Sequence, residues 1–426
     1  MKVFFDVVGC RLNQGEVEYL ANIFRALDHQ IVSNPAEADL AIINSCAVTV
    51  KAAADSRKKL RRAARAGAKK VVATGCWATL YPQQASDLEG VAHVFTNKEK
   101  DQIPFMLLGL PADILQELRL VRDLIPGERG RTRAFIKVQE GCDNSCTYCL
   151  TRLARGKSTS RNLDVIQRDI FAARDGGAKE IVLSGVQLGA WGRDLPNRKN
   201  LVDLIDYLLL EGGFSRLRLS SIEPWDFNLE MLPLWRDKRL CRHLHIPLQS
   251  GSDQTLHRMG RPITRHKYFD LINTIRERVP QIAITTDVIV GFPGETDEDF
   301  QATKNFVQQI CFAGGHVFTY SPRPGTAAFK MKDQIPARIA KGRNKALRED
   351  FESLGAAFRK RFIGTLQEVL WESSEIQADG NYRMSGLTDT YLRVFALAKV
   401  DLWNQISQVE LVSDYSQKNG IAGKIL

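Results

Sequence analysis

The chain has 426 residues, of which 44% are hydrophobic and 25% charged, with eight cysteines and a formal net charge of +10. That length accommodates two or three domains, each with its own core. The composition excludes a low-complexity chain, eight thiols are too few for a disulfide scaffold, and no apolar run approaches the length of a membrane span. The opening "MKVFFDVVGC" is a strand-like run without a cleavage-site pattern, so no signal peptide is read and the cytoplasm is the expected compartment. There, clustered thiols serve as metal ligands or catalysts.

In residues 1–105, "KVFFDVVG", "LAIIN" and "KKVVATG" predict buried parallel strands. "QGEVEYLANIFRAL" and the stretch 51–70 predict the helices between them, giving a small parallel α/β domain. Cys10, Cys46 and Cys76 each follow one predicted strand. In a parallel sheet the strand C-termini share one edge, where ligand sites form, so these cysteines can converge. The alternative is three unrelated buried thiols. The stretch "KAAADSRKKLRRAARAGAKK" holds nine basic residues against Asp55 alone. It is either the solvated face of a surface helix or a phosphate contact, with Arg57, Lys58, Arg61 and Arg62 the candidates.

Residues 106–130, with Pro111, Pro126, Gly127 and Gly130, predict a connector. Residues 131–362 then alternate strands ("AFIKVQEG", "EIVLSGVQ", "RLRLSSIEP", "HLHIPLQS", "IAITTDVIVGFPG", "GGHVFTYSP") with helices. That pattern predicts a barrel or partial barrel with its chemistry at the strand C-terminal ends. Residues 363–426 alternate in period two and predict a small β-barrel. This last segment holds eight acidic and five basic residues, so phosphate contact falls rather on the 51–70 helix and on "RKRF" (Arg359 to Phe362). Cys241 and Cys311 have no cysteine neighbours and read as small buried residues.

The first strand of the central segment leads into "GCDNSCTYC". Four close cysteines would close a structural zinc site. Three thiolates on a cubane iron–sulfur cluster leave its fourth iron open for a ligand. Cys142, Cys146, Tyr148 and Cys149 match the C-x3-C-x2-C motif of the radical S-adenosylmethionine (SAM) superfamily, with its aromatic residue before the last cysteine. The chain resembles the methylthiotransferases of that superfamily over almost its whole length. "HIPLQSGSDQTLHRMGR", "DVIVGFPGETDEDF" and "YSPRPGTAA" are similar to family signatures. One departure is "CLTRLARG", where Arg152 and Leu153 stand in place of the family's proline and aromatic residue.

The resemblance implies a partial (β/α) radical SAM barrel flanked by the N-terminal α/β domain and a TRAM-like C-terminal barrel. It implies one [4Fe–4S] cluster on Cys142, Cys146 and Cys149 that cleaves SAM to a 5′-deoxyadenosyl radical. A second on Cys10, Cys46 and Cys76 would deliver or carry the sulfur. SAM contacts are expected at Tyr148, Arg161, Gln249, Ser250, Gly251 and Gly291. The implied partners are a tRNA substrate, an external electron donor and a sulfur donor, with the enzyme a monomer and no membrane involved. Three branches of the family differ in substrate. "VGCRLNQGEVE", "NSCAVTVKAAADSRK" and "RLSSIEP" look most like the branch acting on threonylcarbamoyladenosine in tRNA, with Ser220, Ser221 and Glu223 as substrate contacts. The isopentenyladenosine branch is the runner-up. A non-catalytic iron–sulfur RNA-binding sensor is the alternative from another class, and the open iron argues against it.

Overall fold

The computed structural model describes residues 1–120, 122–123, 132–196 and 198–426. The chain divides into two compact units, one of residues 1–144 and 149–199, the other of residues 145–148 and 200–426. The segment expected as one central barrel, 131–362, is thus shared between them.

The first unit opens with a five-stranded sheet of β1 (Lys2–Val7), β2 (Gln30–Val32), β3 (Leu40–Ser45), β4 (Val71–Gly75) and β5 (Val91–Val94). All its pairings are parallel, in the order β2-β1-β3-β4-β5. β3 is buried along its whole length, as befits a central parallel strand covered on both faces. Helix α1 (Arg11–Ala26) packs Leu20 and Phe24 on Val3 and Phe5. Helix α2 (Val50–Arg65) lays Ala53, Leu60 and Ala63 on Ile43 and Val71 on the other face. In this doubly wound order the crossovers reverse direction between β1 and β3, and a crevice opens there at the strand C-terminal ends.

Short helices α3 (Cys76–Leu80), α4 (Pro82–Ser86) and α5 (Ile103–Leu108) follow. Where a connector was expected, α5 and a 3-10 turn at Ala112–Gln116 are helical. Phe105 and Leu120 pack there on Tyr19 and Ile23 of α1. Pro126, Gly127 and Gly130 lie outside the described residues. The unit continues with β6 (Arg133–Lys137), β7 (Gln139–Glu140), α6 (Thr151–Arg155), β8 (Thr159–Ser160) and β9 (Glu180–Ser184). β6 and β9 pair in parallel, and β7 and β8 antiparallel.

The second unit carries β10 (Arg216–Leu219), β11 (His243–His245), β12 (Ala283–Val290) and β13 (Gly314–Thr319). β11, β12 and β13 form a parallel sheet, and bridges at Leu217↔Leu240 and Ser221↔His245 run alongside β10. Along β12, buried Ile284, Thr286, Val288 and Val290 alternate with half-buried Thr285, Asp287 and Ile289. This is the period of a strand covered on one side only.

The closing barrel comprises β14 (Leu366–Ile376), β15 (Tyr382–Thr388), β16 (Arg393–Ala398), β17 (Ile406–Tyr415) and β18 (Gly420–Ile425), ordered β14-β15-β16-β18-β17. Its core of Val369, Trp371, Met384, Val394, Val409 and Ile421 continues into Phe358 and Phe362 and into Ala283 of β12. From β10, Arg216 donates to the carbonyls of Leu387 and Glu368, and Arg218 to those of Thr388 and Asp389.

Cys241 is buried, as expected, but Cys311 is exposed. It caps the helix Asp297–Ile310 in a left-handed conformation, φ 53°. Chain reversal at a helix end faces solvent, so its side chain leaves the core.

Candidate functional site

Three cysteines of the first unit stand at the ends of β1, β3 and β4, beside the switch point. Cys10 is the N-cap of α1, Cys46 follows β3 and Cys76 opens α3. The close approach depends on Gly9, at φ +115°: a Cβ there would lie 2.8 Å from Cys46 Cβ and 2.9 Å from its Sγ. The thiols are electrostatically coupled to one another. Burial pushes the Cys46 thiol up to about 11. A bound metal displaces such a proton, because its charge favours the thiolate. Among the described residues, no three His, Cys, Asp or Glu side chains are placed to grip a single ion. That bears on a mononuclear site, whereas cluster thiolates bind separate irons. The donor set and the glycine cradle fit a cluster.

Polar side chains of the same unit surround these sulfurs. Asn97 Nδ2 lies 3.7 Å from Cys76 Sγ, and Asn13 Oδ1 lies 3.7 Å from Cys10 Sγ. Arg155 Nη2 donates to Asn13 Oδ1 at 2.6 Å, and Nη1 to Glu16 and Glu140 at 2.8 and 2.7 Å. Lys100 meets Glu16 at 2.6 Å, and Lys137 meets Asp101 at 2.9 Å. Burial alone would raise the Glu16 pKa, but Arg155, Lys100 and Lys137 hold it well below the usual carboxylate range. The sequence reading missed this network. Its only signal was polar residues, Asn13 and Glu16, on the inward face of an otherwise apolar helix.

The loop with the other three cysteines leaves β7 and ends at α6. Gly141 makes its first turn at φ +71°, where a Cβ would fall 1.8 Å from the Lys157 carbonyl oxygen. Cys142 N–H donates to the Gly156 carbonyl, and Gln187 Oε1 accepts from Asp143 N–H. Thr151 N–H donates to Cys149 Sγ at 3.4 Å, a contact suited to a thiolate. Cys142 and Cys149 belong to the first unit, Cys146 and Tyr148 to the second. Arg161, also in the first unit, is engaged internally: it pairs with Asp169 at 2.7 Å and stacks on Tyr19.

In the second unit, Tyr148 packs edge-on against Phe292 and lies 3.4 Å from Arg261 Nη1. Arg261 is buried, stacks on Trp225, donates to the Pro247 carbonyl and pairs with Glu223 at 2.7 Å. Glu223 thus presents a fixed carboxylate just beyond β10. Close by in sequence, Ser220 Oγ is buried without a hydrogen-bond partner, and Ser221 bridges to His245. Arg261 was legible only as one of two arginines inside "HRMGR". Gln249 adopts φ 69°. The N–H groups of Gln249, Gly251 and Ser252 donate to Asp287 O, Thr303 Oγ1 and Ser250 Oγ. Those three amides are therefore engaged within the fold. Gly291 turns at φ +71°, where a Cβ would lie 2.5 Å from Ala340 Cβ, and its N–H donates to Glu295.

On α2, Lys58, Arg61 and Arg62 are exposed, whereas Arg57 lies 5.7 Å over the Trp77 ring. In "RKRF", Arg359 pairs with Asp414 at 2.7 Å and Phe362 is buried.

Comparison with known proteins gives this geometry its class. Residues 136–307 match the radical SAM superfamily, and residues 2–96 match the uncharacterized protein family UPF0004. A radical SAM methyltransferase, TsrM from Kitasatospora setae, solved with cobalamin and a [4Fe-4S] cluster, shares the fold. Its TM-score is 0.55 at 13% identity, covering 86% of this chain and 80% of that one. The threonylcarbamoyladenosine tRNA methylthiotransferase MtaB of Thermotoga maritima is 38% identical over 87% of this chain and 86% of its own. Its namesake from Bacillus subtilis is 32% identical over 96% and 93%. A tRNA-2-methylthio-N(6)-dimethylallyladenosine synthase of Pelotomaculum thermopropionicum is 30% identical over 88% and 87%.

The molecule is a radical SAM enzyme, a class that implies a [4Fe–4S] cluster and SAM. The chain belongs to the radical SAM tRNA methylthiotransferase family. Among the described residues, no helix is long and apolar enough to cross a membrane.

Proposed function

We propose that the protein methylthiolates C2 of N6-threonylcarbamoyladenosine at position 37 of tRNA, using two SAM molecules and two [4Fe–4S] clusters. It would act in the cytoplasm as a monomer supplied by an external electron donor. Cys142, Cys146 and Cys149 hold the first cluster, and Cys10, Cys46 and Cys76 the second. When bound, the first supplies one-electron chemistry, which an unactivated C2–H bond requires because no side-chain base or nucleophile can replace that hydrogen.

The observation that carries the choice of substrate is the polar end of β10. The Glu223 carboxylate is held by buried Arg261, and Ser220 Oγ is buried without a partner. A threonylcarbamoyl arm offers amide, hydroxyl and carboxylate groups to such a surface, whereas an isopentenyl arm leaves its polar atoms unpaired. The two relatives named for the threonylcarbamoyl substrate support the same choice. The expected SAM contacts remain Tyr148, Arg161, Gln249, Ser250, Gly251 and Gly291, of which Arg161, Ser250, Gly251 and Gly291 also make contacts within the fold.

The test is anaerobic turnover of one tRNA carrying threonylcarbamoyladenosine, isopentenyladenosine or bare adenosine at position 37, read by mass detection of the nucleosides. Methylthio product is expected from the first alone. Product from the isopentenyl form alone would assign the runner-up substrate. SAM cleavage absent under reductant, with both clusters loaded, would favour the sensor.

A further inference from the structure

In the first unit, the turn that closes the radical-cluster loop also reaches the N-terminal cysteines. Ala154 and Arg155 end α6, which begins two residues after Cys149. Asn97 Nδ2 donates to the Ala154 carbonyl at 2.8 Å and faces Cys76 Sγ at 3.7 Å. The Ala154 carbonyl can only accept, so the amide must present its NH2 group to both. Arg155 is buried, bonded to Asn13 beside Cys10, and lies within electrostatic reach of all three thiols. Its side chain also belongs to a balanced interior set: Lys100, Lys137 and Arg155 against Glu16, Asp101 and Glu140. Removing the guanidinium would take away the cation near the sulfurs and leave one carboxylate uncompensated.

We propose that Arg155 and Asn97 are positioning residues of the N-terminal cysteine site that hold the reduction potential of its cluster up. The proposal rests on the two-cluster reading above. Adding an electron to a cluster adds negative charge. A fixed nearby cation and an N–H aimed at a ligand sulfur both favour the reduced state, because hydrogen bonds to the sulfurs and local charge set the potential. Both residues hang on the turn that ends the radical-cluster loop, so ordering that loop would also set the electrostatics of the second site. A merely structural role predicts lost folding or lost iron, with no change in potential.

The experiment uses the full chain with Cys142, Cys146 and Cys149 all changed to Ala, reconstituted anaerobically. Iron is counted and the remaining cluster is titrated by electron paramagnetic resonance. Asn97→Leu is made in this background. So is the pair Glu140→Gln with Arg155→Gln, which removes the cation with one of its carboxylates and leaves Glu16, whose charge also reaches Cys10, held by Lys100 and Lys137. Each should keep its iron, and the reduced-to-oxidised ratio at the parent's midpoint should fall about tenfold, or about 59 mV for one electron. Arg155→Lys, which keeps the charge, should stay within about threefold of the parent. Iron retained with the parent's titration in both test variants would overturn the proposal, as would loss of iron from both while they remain folded. Absence of iron from the background protein itself would instead overturn the two-cluster reading.

Discussion

At the scale of single residues, the cysteines depend on glycines that let backbone pass where no side chain fits. Gly141 is the sharpest case. Its φ of +71° strains any L residue, and its missing Cβ would meet backbone, the Lys157 carbonyl, at 1.8 Å. A flexible side chain could move aside, but β8 and α6 hold this carbonyl between them. Gly141→Ala should therefore distort the radical-cluster loop while leaving the N-terminal cysteines intact. Iron per chain should fall to about half, since two clusters of equal size are proposed. Production of 5′-deoxyadenosine without RNA should vanish. Full iron content with normal cleavage would show that the loop tolerates the shift.

At the scale of elements, α2 divides its basic residues between two tasks. Lys59 pairs with Asp6, and Arg57 covers Trp77. Lys58, Arg61 and Arg62 point outward. Neutralising these three to Gln should weaken tRNA binding and flatten its salt dependence. Each lost phosphate contact removes about 0.9 from the log–log slope on duplex, or about 0.7 on single strands. Arg57→Gln should act differently, mainly by loosening the packing over Trp77. A triple variant with an unchanged salt slope would return the helix to a solvated face. Sequence could not separate the two groups. Both carry the same charge at helical spacing, and only the tertiary position of Asp6 and Trp77 distinguishes them. The strands were far more legible. β1, β3, β4 and the six of the central segment are apolar or alternating runs followed by Gly, Ser or Pro. The missed strands are short or weakly patterned: Gln30–Val32, Val91–Val94, Thr159–Ser160 and Gly420–Ile425. β18 holds Gly420 and Gly423 yet closes the barrel, because its partners β16 and β17 supply the burial that its own residues lack.

At the scale of the molecule, the placement of the cysteines was readable because motif spacing is local and sheet topology carries residues 10, 46 and 76 to one edge. The outer shell was not readable: Arg155 and Asn13 are 142 positions apart in sequence. The same kind of long-range pairing decides what the C-terminal barrel does for the second unit. Arg216 and Arg218 are each about 2% exposed, and they donate to carbonyls at 368 and 387–389. Arg242 pairs with Asp389, and His243 stacks on Tyr391 at 4.5 Å. The barrel core also continues into Ala283, Phe358 and Phe362. A chain ending at residue 362 would strip the partners from two buried guanidinium groups and expose that apolar seam. The guanidinium groups can turn to water, but exposing the seam costs about 1.5–3 kcal/mol for each large apolar side chain, a large share of the roughly 5–15 kcal/mol that holds a domain folded. Truncation should therefore unfold or aggregate the second unit, where simple loss of an RNA-binding appendage would leave it intact. Limited proteolysis of the truncated chain should cut freely within 200–362 while sparing the first unit's sheet. A truncated protein that resists cleavage in 200–362 and still splits SAM at the full rate would show that the barrel is an independent appendage.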